Sequence, residues 1–219
     1  MTLRGAPAGE RAERADSRRK RLRLIAAARS AIAEHGLDVS ATDIAGQAEV
    51  GVGTLYRRFG SKEGLIEAVL VDIIAAIAQT AREALTCEDP AAGLETVLTV
   101  LVREQAQNRG LSDFVAGEAA SHSADFRRHT ETLRQAIEEL TRRAQAAGAI
   151  RTDVTWRDIA ALAQSAAPSS ACLGVSNGGE QWRRNLTVLL DGLRPPGVRA
   201  MPGTPPHDVE SSRTDQQAP

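Results

Sequence analysis

Aromatic residues are scarce: two Trp, one Tyr and three Phe make up 3% of 219 residues. A core built without them must be aliphatic, and the abundant alanine points to packed helices. No stretch shows the period-two alternation of a strand. Cysteine is nearly absent. Cys87 and Cys172 are far apart, lack metal-ligand spacing and read as free thiols in a reducing compartment. No apolar run approaches transmembrane length. The basic N-terminus has no apolar segment with a cleavage site behind it, which argues against a secretory signal. A cytoplasmic protein with no membrane partner is expected. Ser-His-Asp spacing, a phosphate loop and paired carboxylates are also missing, so an enzyme is not expected. His122 and His129 are seven apart, off the four-residue interval of a helical metal pair, and no acidic or Cys ligand clusters with them. Neither metal nor other cofactor is expected.

What is present is a charge asymmetry behind a net charge of −1. Residues 1–64 carry 12 Lys+Arg and 8 Asp+Glu, a balance of +4, and residues 65–219 carry 15 and 20, a balance of −5. A basic head on an acidic body suits a chain that brings one end to nucleic acid. The run SRRKRLR at residues 17–23 puts five basic residues in seven directly before the first amphipathic helix. Arg18, Arg19 and Lys20 are candidates for phosphate contact, which raises affinity for any duplex and makes it salt-sensitive.

The stretch from Ser40 to Glu67 carries the strongest motif. Ile44, Ala45 and Ala48 recur at helical spacing, Gly51 and Gly53 sit where the chain turns and restarts, and Thr54, Tyr56, Arg57 and Arg58 follow, interleaved with Leu55 and Phe59. This is the layout of a helix-turn-helix whose second helix enters the major groove. Ser40 is placed to cap the first of these helices, and Gly51 is expected to supply a special turn conformation. Gly53 leaves room for the backbone to approach DNA. Leu55 and Phe59 should pin the recognition helix, with Thr54, Arg57 and Arg58 outward. Ser61 caps the next helix, where Lys62 and the helix amides could hold a phosphate.

Residues 21–70 closely resemble the DNA-binding domain of TetR-family transcriptional regulators. The resemblance rests on LIAAARSAIAEHG in the first helix, DIA in the second, GTLYRRF in the third and SKEGLIEAVL opening the fourth, about a quarter of the chain. Many relatives have a hydroxyl residue at the place of Gly51 and a polar one near Val52. This chain therefore lacks one phosphate-contacting hydroxyl, and Val52 is left to meet a thymine methyl. The resemblance implies an all-α homodimer, usually a repressor, released from a DNA operator by a small-molecule effector. Base contacts are expected from Val52, Thr54 and Arg57 and phosphate contacts from Tyr56 and Lys62, with Ser40 also counted among the DNA-binding residues.

The expected organisation has four parts. Residues 1–16 form a disordered arm, 17–64 the helix-turn-helix domain of three helices, 65–194 a helical effector-binding and dimerisation domain, and 195–219 a proline-rich tail. In the body, Leu65 to Ile77 marks a long fourth helix to about Leu85, and Leu94 to Val102 a fifth. A short helix is expected around Asp113–Ala120, a long one from Phe126 to Ala147, one capped by Asp153 or Thr155, and a last one from Gly179 to Leu193. By resemblance, the effector lies among Leu98, Leu101, Gln105, Phe114, Phe126, His129, Leu133 and Trp156. Gln105 and His129 are the informative pair, since an inward polar group needs a partner. The last two helices are expected to dimerise through Ile159, Ala163, Ala167, Trp182, Leu186, Leu189, Leu190 and Leu193. Two rivals to a regulator are an enzyme with dispersed catalytic groups and an architectural DNA-binding protein whose body only dimerises.

Overall fold

The computed structural model describes residues 8–108, 123–167, 179–195 and 199–206. Among them every long element is helical: α1 (Ala8–His35), a 3-10 turn (Gly36–Asp38), α2 (Ala41–Gln47), α3 (Val52–Phe59), α4 (Lys62–Ala84), α5 (Pro90–Gln107), α6 (Ala124–Ala146), α7 (Trp156–Ala166) and α8 (Gln181–Leu193). The helix expected over 113–120, with Phe114, and Cys172 lie outside the described residues. α1 begins at Ala8, inside the stretch expected to be a disordered arm. Ala, Glu and Arg dominate that stretch, and these are strong helix formers even without an apolar stripe.

Two compact units are present, dividing between Ile73 and Ile74 inside α4. The charge and motif boundary fell earlier, at Gly64. The first unit also takes in Asn108, Ser123 and Ala124, and the Glu67 carboxylate accepts the Ser123 amide. Its core is aliphatic: Leu24, Ala28, Ile32, Ile44, Leu55, Leu65 and Val69 are all nearly or fully buried.

In the second unit α5 packs against α7 and α8, and α7 against α8. α5 starts cleanly because Asp89 Oδ1 accepts the amides of Ala91 (2.9 Å) and Ala92 (3.3 Å), with Pro90 in the first-turn position that needs no donor. Thr155 caps α7 in a full capping box with Asp158. At Gly93 a Cβ would come within 3.0 Å of Ala84 O and 3.1 Å of Leu140 Cδ2, so glycine lets α5 sit close to the end of α4 and to α6. Arg143 of α6 closes the same place, donating to the carbonyls of Leu85 and Cys87. Cys87 is a free thiol.

α4 corrects one expectation. Between Gly64 and Ala81 its charges are only Glu67 and Asp72, and by length and composition it could cross a membrane. Its apolar residues have another use here: Leu65, Ile66, Val69, Leu70, Ile73, Ile77, Ala78 and Ala81 are buried in protein. The segment expected to be a free tail is also partly tied down. Arg199 O accepts from Arg151, and Met201 N donates to Asp153 Oδ2 at 3.1 Å.

Candidate nucleic-acid interface

The recognition helix is short and two-faced. Leu55 is fully buried and anchors α3, while Val52 (37% exposed) and Tyr56 (49% exposed) stand outward. Gly53 and Arg57 are exposed and Thr54 is half-buried. Arg57 is folded along its own helix: Nε donates to Gly53 O at 3.2 Å and Nη2 to Thr54 Oγ1 at 3.3 Å. This pre-arranges Thr54 and Arg57 as one polar unit, and the guanidinium must exchange those partners to reach a base edge.

The turn into α3 is built differently from expectation. Gly51 has φ −68 and ψ 139, an extended conformation open to most residues. The left-handed residue is Glu49, at φ 55. Glu49 N donates to Gly46 O and Val50 N to Ala45 O, each at 3.0 Å, which is a Schellman closure of α2 with glutamate in the glycine place. Its side chain makes an exposed ion pair, with Arg23 Nη1 of α1 3.3 Å from Glu49 Oε2. A lone glutamate gives no sequence signal of this kind.

Ser40 caps α2 as expected from its type. Its hydroxyl accepts Asp43 N at 3.1 Å and donates to Asp43 Oδ2 at 2.7 Å. Both roles compete with a phosphate for this exposed hydroxyl. At the far end of α3, Gly60 takes φ 76. Ser61 Oγ then accepts Gly64 N at 3.0 Å and starts α4. Gly64 cannot carry a side chain, because a Cβ would stand 2.2 Å from Phe59 O.

Lys62 points back and donates to Leu37 O, the carbonyl of the 3-10 turn. Of its three N–H bonds the others stay available for a phosphate. The amide end of α4 is already used by the protein's own acid: Glu63 is held below the ordinary carboxylate range by its own backbone amide and the Ser61 hydroxyl. The phosphate-holding helix end expected here is therefore reduced to Lys62 itself.

The basic run 17–23 is part of a helix lying along the motif. Arg58 Nη2 donates to Ser17 Oγ at 2.7 Å, the Arg21 guanidinium lies 5.9 Å from the Phe59 ring centroid, and Arg23 meets Glu49. Lys20 and Arg19 share Asp16 at 2.7 and 3.6 Å. The Lys20 hydrogen bond is the main reason that the Asp16 carboxyl is held low. Arg18 is exposed. Arg58, expected to face outward, instead ties α3 to α1, with its Nε buried.

In the second unit, Leu98 and Leu133 are buried core residues, while Leu101, Gln105, Phe126, His129 and Trp156 are half-buried. Gln105 Oε1, His129 Nδ1 and Trp156 Nε1 are buried without a hydrogen-bond partner, and so is Thr130 Oγ1, which the sequence pattern did not single out. Arg134 of α6 stands 5.1 Å over the Trp156 ring.

Much of the stripe expected to dimerise is buried within one protomer. Ile159, Ala163, Trp182, Leu186 and Leu193 are at most 5% exposed in the single chain, so they fasten α7 and α8 to their own core and offer no surface. Ala167, Leu189 and Leu190 are half-buried. The large apolar side chains left outside on these helices are Leu162 (39% exposed) and Val188 (73% exposed). Leu162 and Val188 lie off the buried stripe, so a search for that stripe passed over them.

The comparisons agree with this geometry. Residues 24–69 match the family model of bacterial regulatory proteins of the tetR family, and residues 89–195 match the SbtR-like C-terminal domain of transcriptional regulators. No curated protein matches the sequence. Among solved structures, a TetR transcription regulatory protein from Mycobacterium vanbaalenii is 32% identical, with 83% of this chain and 98% of that one covered at a TM-score of 0.61. The TetR transcriptional regulator SCO0520 from Streptomyces coelicolor is 31% identical, with 80% and 99% covered at 0.61. The ketosteroid transcriptional regulator KstR2 of Mycobacterium tuberculosis, 19% identical at a TM-score of 0.57, shares the fold. A basic helix-turn-helix among described residues whose long elements are all helical, matched over nearly the full length of relatives above 30% identity, places this protein in the TetR family of DNA-binding transcriptional regulators, which are not enzymes.

Proposed function

We propose that this protein is a cytoplasmic homodimeric repressor that holds a palindromic operator and is released by a small molecule bound in its second unit. The observation that carries the DNA half is α3, where Val52, Gly53, Tyr56 and Arg57 are exposed beside a fully buried Leu55. Thr54, Val52 and Arg57 read bases, with Arg57 bidentate to guanine. Tyr56, Lys62, Ser40, Arg18, Arg19 and Lys20 hold the backbone. Two copies reading half-sites about 34–36 Å apart supply the affinity a lone motif lacks.

The dimer contact runs through the exposed Leu162 and Val188 of α7 and α8. Val188→Glu should give monomers by light scattering with the melting temperature retained, whereas Trp182→Ala should cost about 3–5 kcal/mol of protomer stability. A Val188→Glu protein that stays dimeric removes this interface.

Release is a population shift. The effector binds better to the arrangement in which the recognition helices leave their matched spacing, and α4, common to both units, carries the change. The test is a footprint on DNA flanking the protein's own gene, at fixed salt, with Arg57→Ala as control. A protected inverted repeat that the control loses supports the proposal. Salt-labile binding without a protected repeat favours an architectural protein.

A further inference from the structure

We infer that α8 carries a charge code for recognising a second copy of this chain: the two α8 helices lie antiparallel across Val188, and Arg184 of each meets Asp191 of the other. This rests on the dimerisation through Val188 proposed above, and adds how the chain selects its partner. Val188 is 73% exposed, the most exposed large apolar side chain among the described residues. The opposite side of α8 is fastened to its own core by Trp182, Leu186 and Leu193. One edge is taken by α7, since Asn185 Nδ2 donates to Ala166 O at 3.1 Å. Helix periodicity puts Arg184 one turn before Val188 and Asp191 one turn after it, along the other edge. Both are exposed.

Gly192 marks how near the second helix comes. It follows Val188 by one turn on the same outer face and is exposed. Its backbone is not left-handed, and a Cβ there would meet nothing within 4 Å. Nothing described within the protomer asks for a residue that weakens the helix. A helix laid across this face does, because a missing side chain lets two backbones approach.

The charges fit a copy of themselves. A two-fold axis reverses the second helix and brings each edge beside the same edge of its copy. A residue some positions before the centre then faces the residue as many positions after it. Arg184 and Asp191 share an edge, and their midpoint falls between Thr187 and Val188, beside the exposed valine. Each dimer therefore forms two such pairs, one on either side of the valines. Two residues of one sign at these places would repel in the same geometry. Within the protomer Asp191 has a loose contact with Arg194 at 3.6 Å, both exposed, and Arg184 has no ion-pair partner among the described residues. Exchanging such exposed contacts costs little. A chain with a different charge order on this face is refused by repulsion, which selects the partner more sharply than the valine does.

Charge reversal in the full chain at low salt tests this. Arg184→Asp and Asp191→Arg should each raise the dimer dissociation constant by at least about tenfold in sedimentation equilibrium, with helicity unchanged, because both pairs in the dimer become like-charged. Mixed in equal amounts, the two variants should pair with each other, since each supplies the charge that the other has lost. Native mass spectrometry separates the three dimers by mass and should find the mixed one well above its statistical share. Gly192→Leu should weaken the dimer too. Arg183→Asp makes the same charge change, but Arg183 lies over the Trp182 ring at 5.1 Å and should leave the dissociation constant unaltered. A statistical mixture, unchanged single variants, or equal weakening by Arg183→Asp each overturns the inference. Val188→Glu separates the two failures. If it is monomeric while the charge variants stay dimeric, the interface stands and the code falls; if it stays dimeric as well, the interface itself is lost.

Discussion

Arg58 of the recognition helix donates to the Ser17 hydroxyl at 2.7 Å, across 41 residues of sequence. One bond thus sets the basic end of α1 against α3, the second helix of the helix-turn-helix. Arg58→Met keeps the stem and removes the fork, which should loosen that end of α1. We expect a weaker operator complex and a salt dependence of log K shallower by about 0.9 for each phosphate that α1 no longer neutralises. Filter binding across a salt series measures both; an unchanged slope means that the Arg58–Ser17 bond is only structural.

Arg57 and Lys62 should separate specificity from general affinity. Arg57→Ala should cost about 1–3 kcal/mol on the true operator and relax preference at one base position. Lys62→Ala should weaken every sequence alike and also destabilise the first unit, because Leu37 O loses its donor. Competition against single-base operator variants, with melting curves beside it, distinguishes the two. Equal profiles from both substitutions refute the division of labour.

Glu49 holds a left-handed conformation that costs a residue with a Cβ about 1–2 kcal/mol. Glu49→Gly removes that strain, loses an exposed ion pair with Arg23 worth about 0–1 kcal/mol, and adds freedom to the unfolded chain. The net expectation is a small gain, up to about 1 kcal/mol, readable in urea unfolding. A loss larger than that shows that the ion pair with Arg23 outweighs the strain.

Asp153 is held well below the ordinary carboxylate range, first by its hydrogen bonds from Arg151 and then by the Met201 amide. A depressed folded value means that its contribution is complete above the unfolded value of about 3.9 and is lost only as pH falls through the lower folded one. Stability between neutral pH and about 4 should therefore be indifferent to this group. Asp153→Asn should flatten the acid limb below that point and free the segment around Met201 to proteolysis. An acid limb identical in both proteins excludes Asp153 as its source.

The helices were legible because their signals are local. Ser40, Ser61 and Thr155 announce α2, α4 and α7 through caps, and the apolar spacing of α4 and α5 needs no partner to be read. What escaped depends on contacts distant in sequence. The role of Arg58 requires Ser17, and the ion-pair partner of Glu49, Arg23, lies 26 residues away. The dimer stripe is ambiguous for a related reason: an amphipathic pattern says which side of α8 is apolar, but Trp182 and Leu186 look the same whether they face their own core or a second copy. Among the candidate effector residues, polarity was the useful signal. Gln105, His129 and Trp156 retain unpartnered buried atoms, while Leu98 and Leu133 are ordinary core.

The placement of the few aromatic side chains divides the chain spectroscopically. Its one tyrosine, Tyr56, is exposed on α3, whereas Trp156 and Trp182 both belong to the second unit. Indole emission excited at the red edge of its absorption is therefore a reporter of the second unit alone, sensitive to what approaches the N–H of Trp156. A ring-labelled Tyr56 gives an independent resonance for the operator complex. One unmodified protein can thus show, in a single titration, whether events in its two units occur at the same ligand concentration.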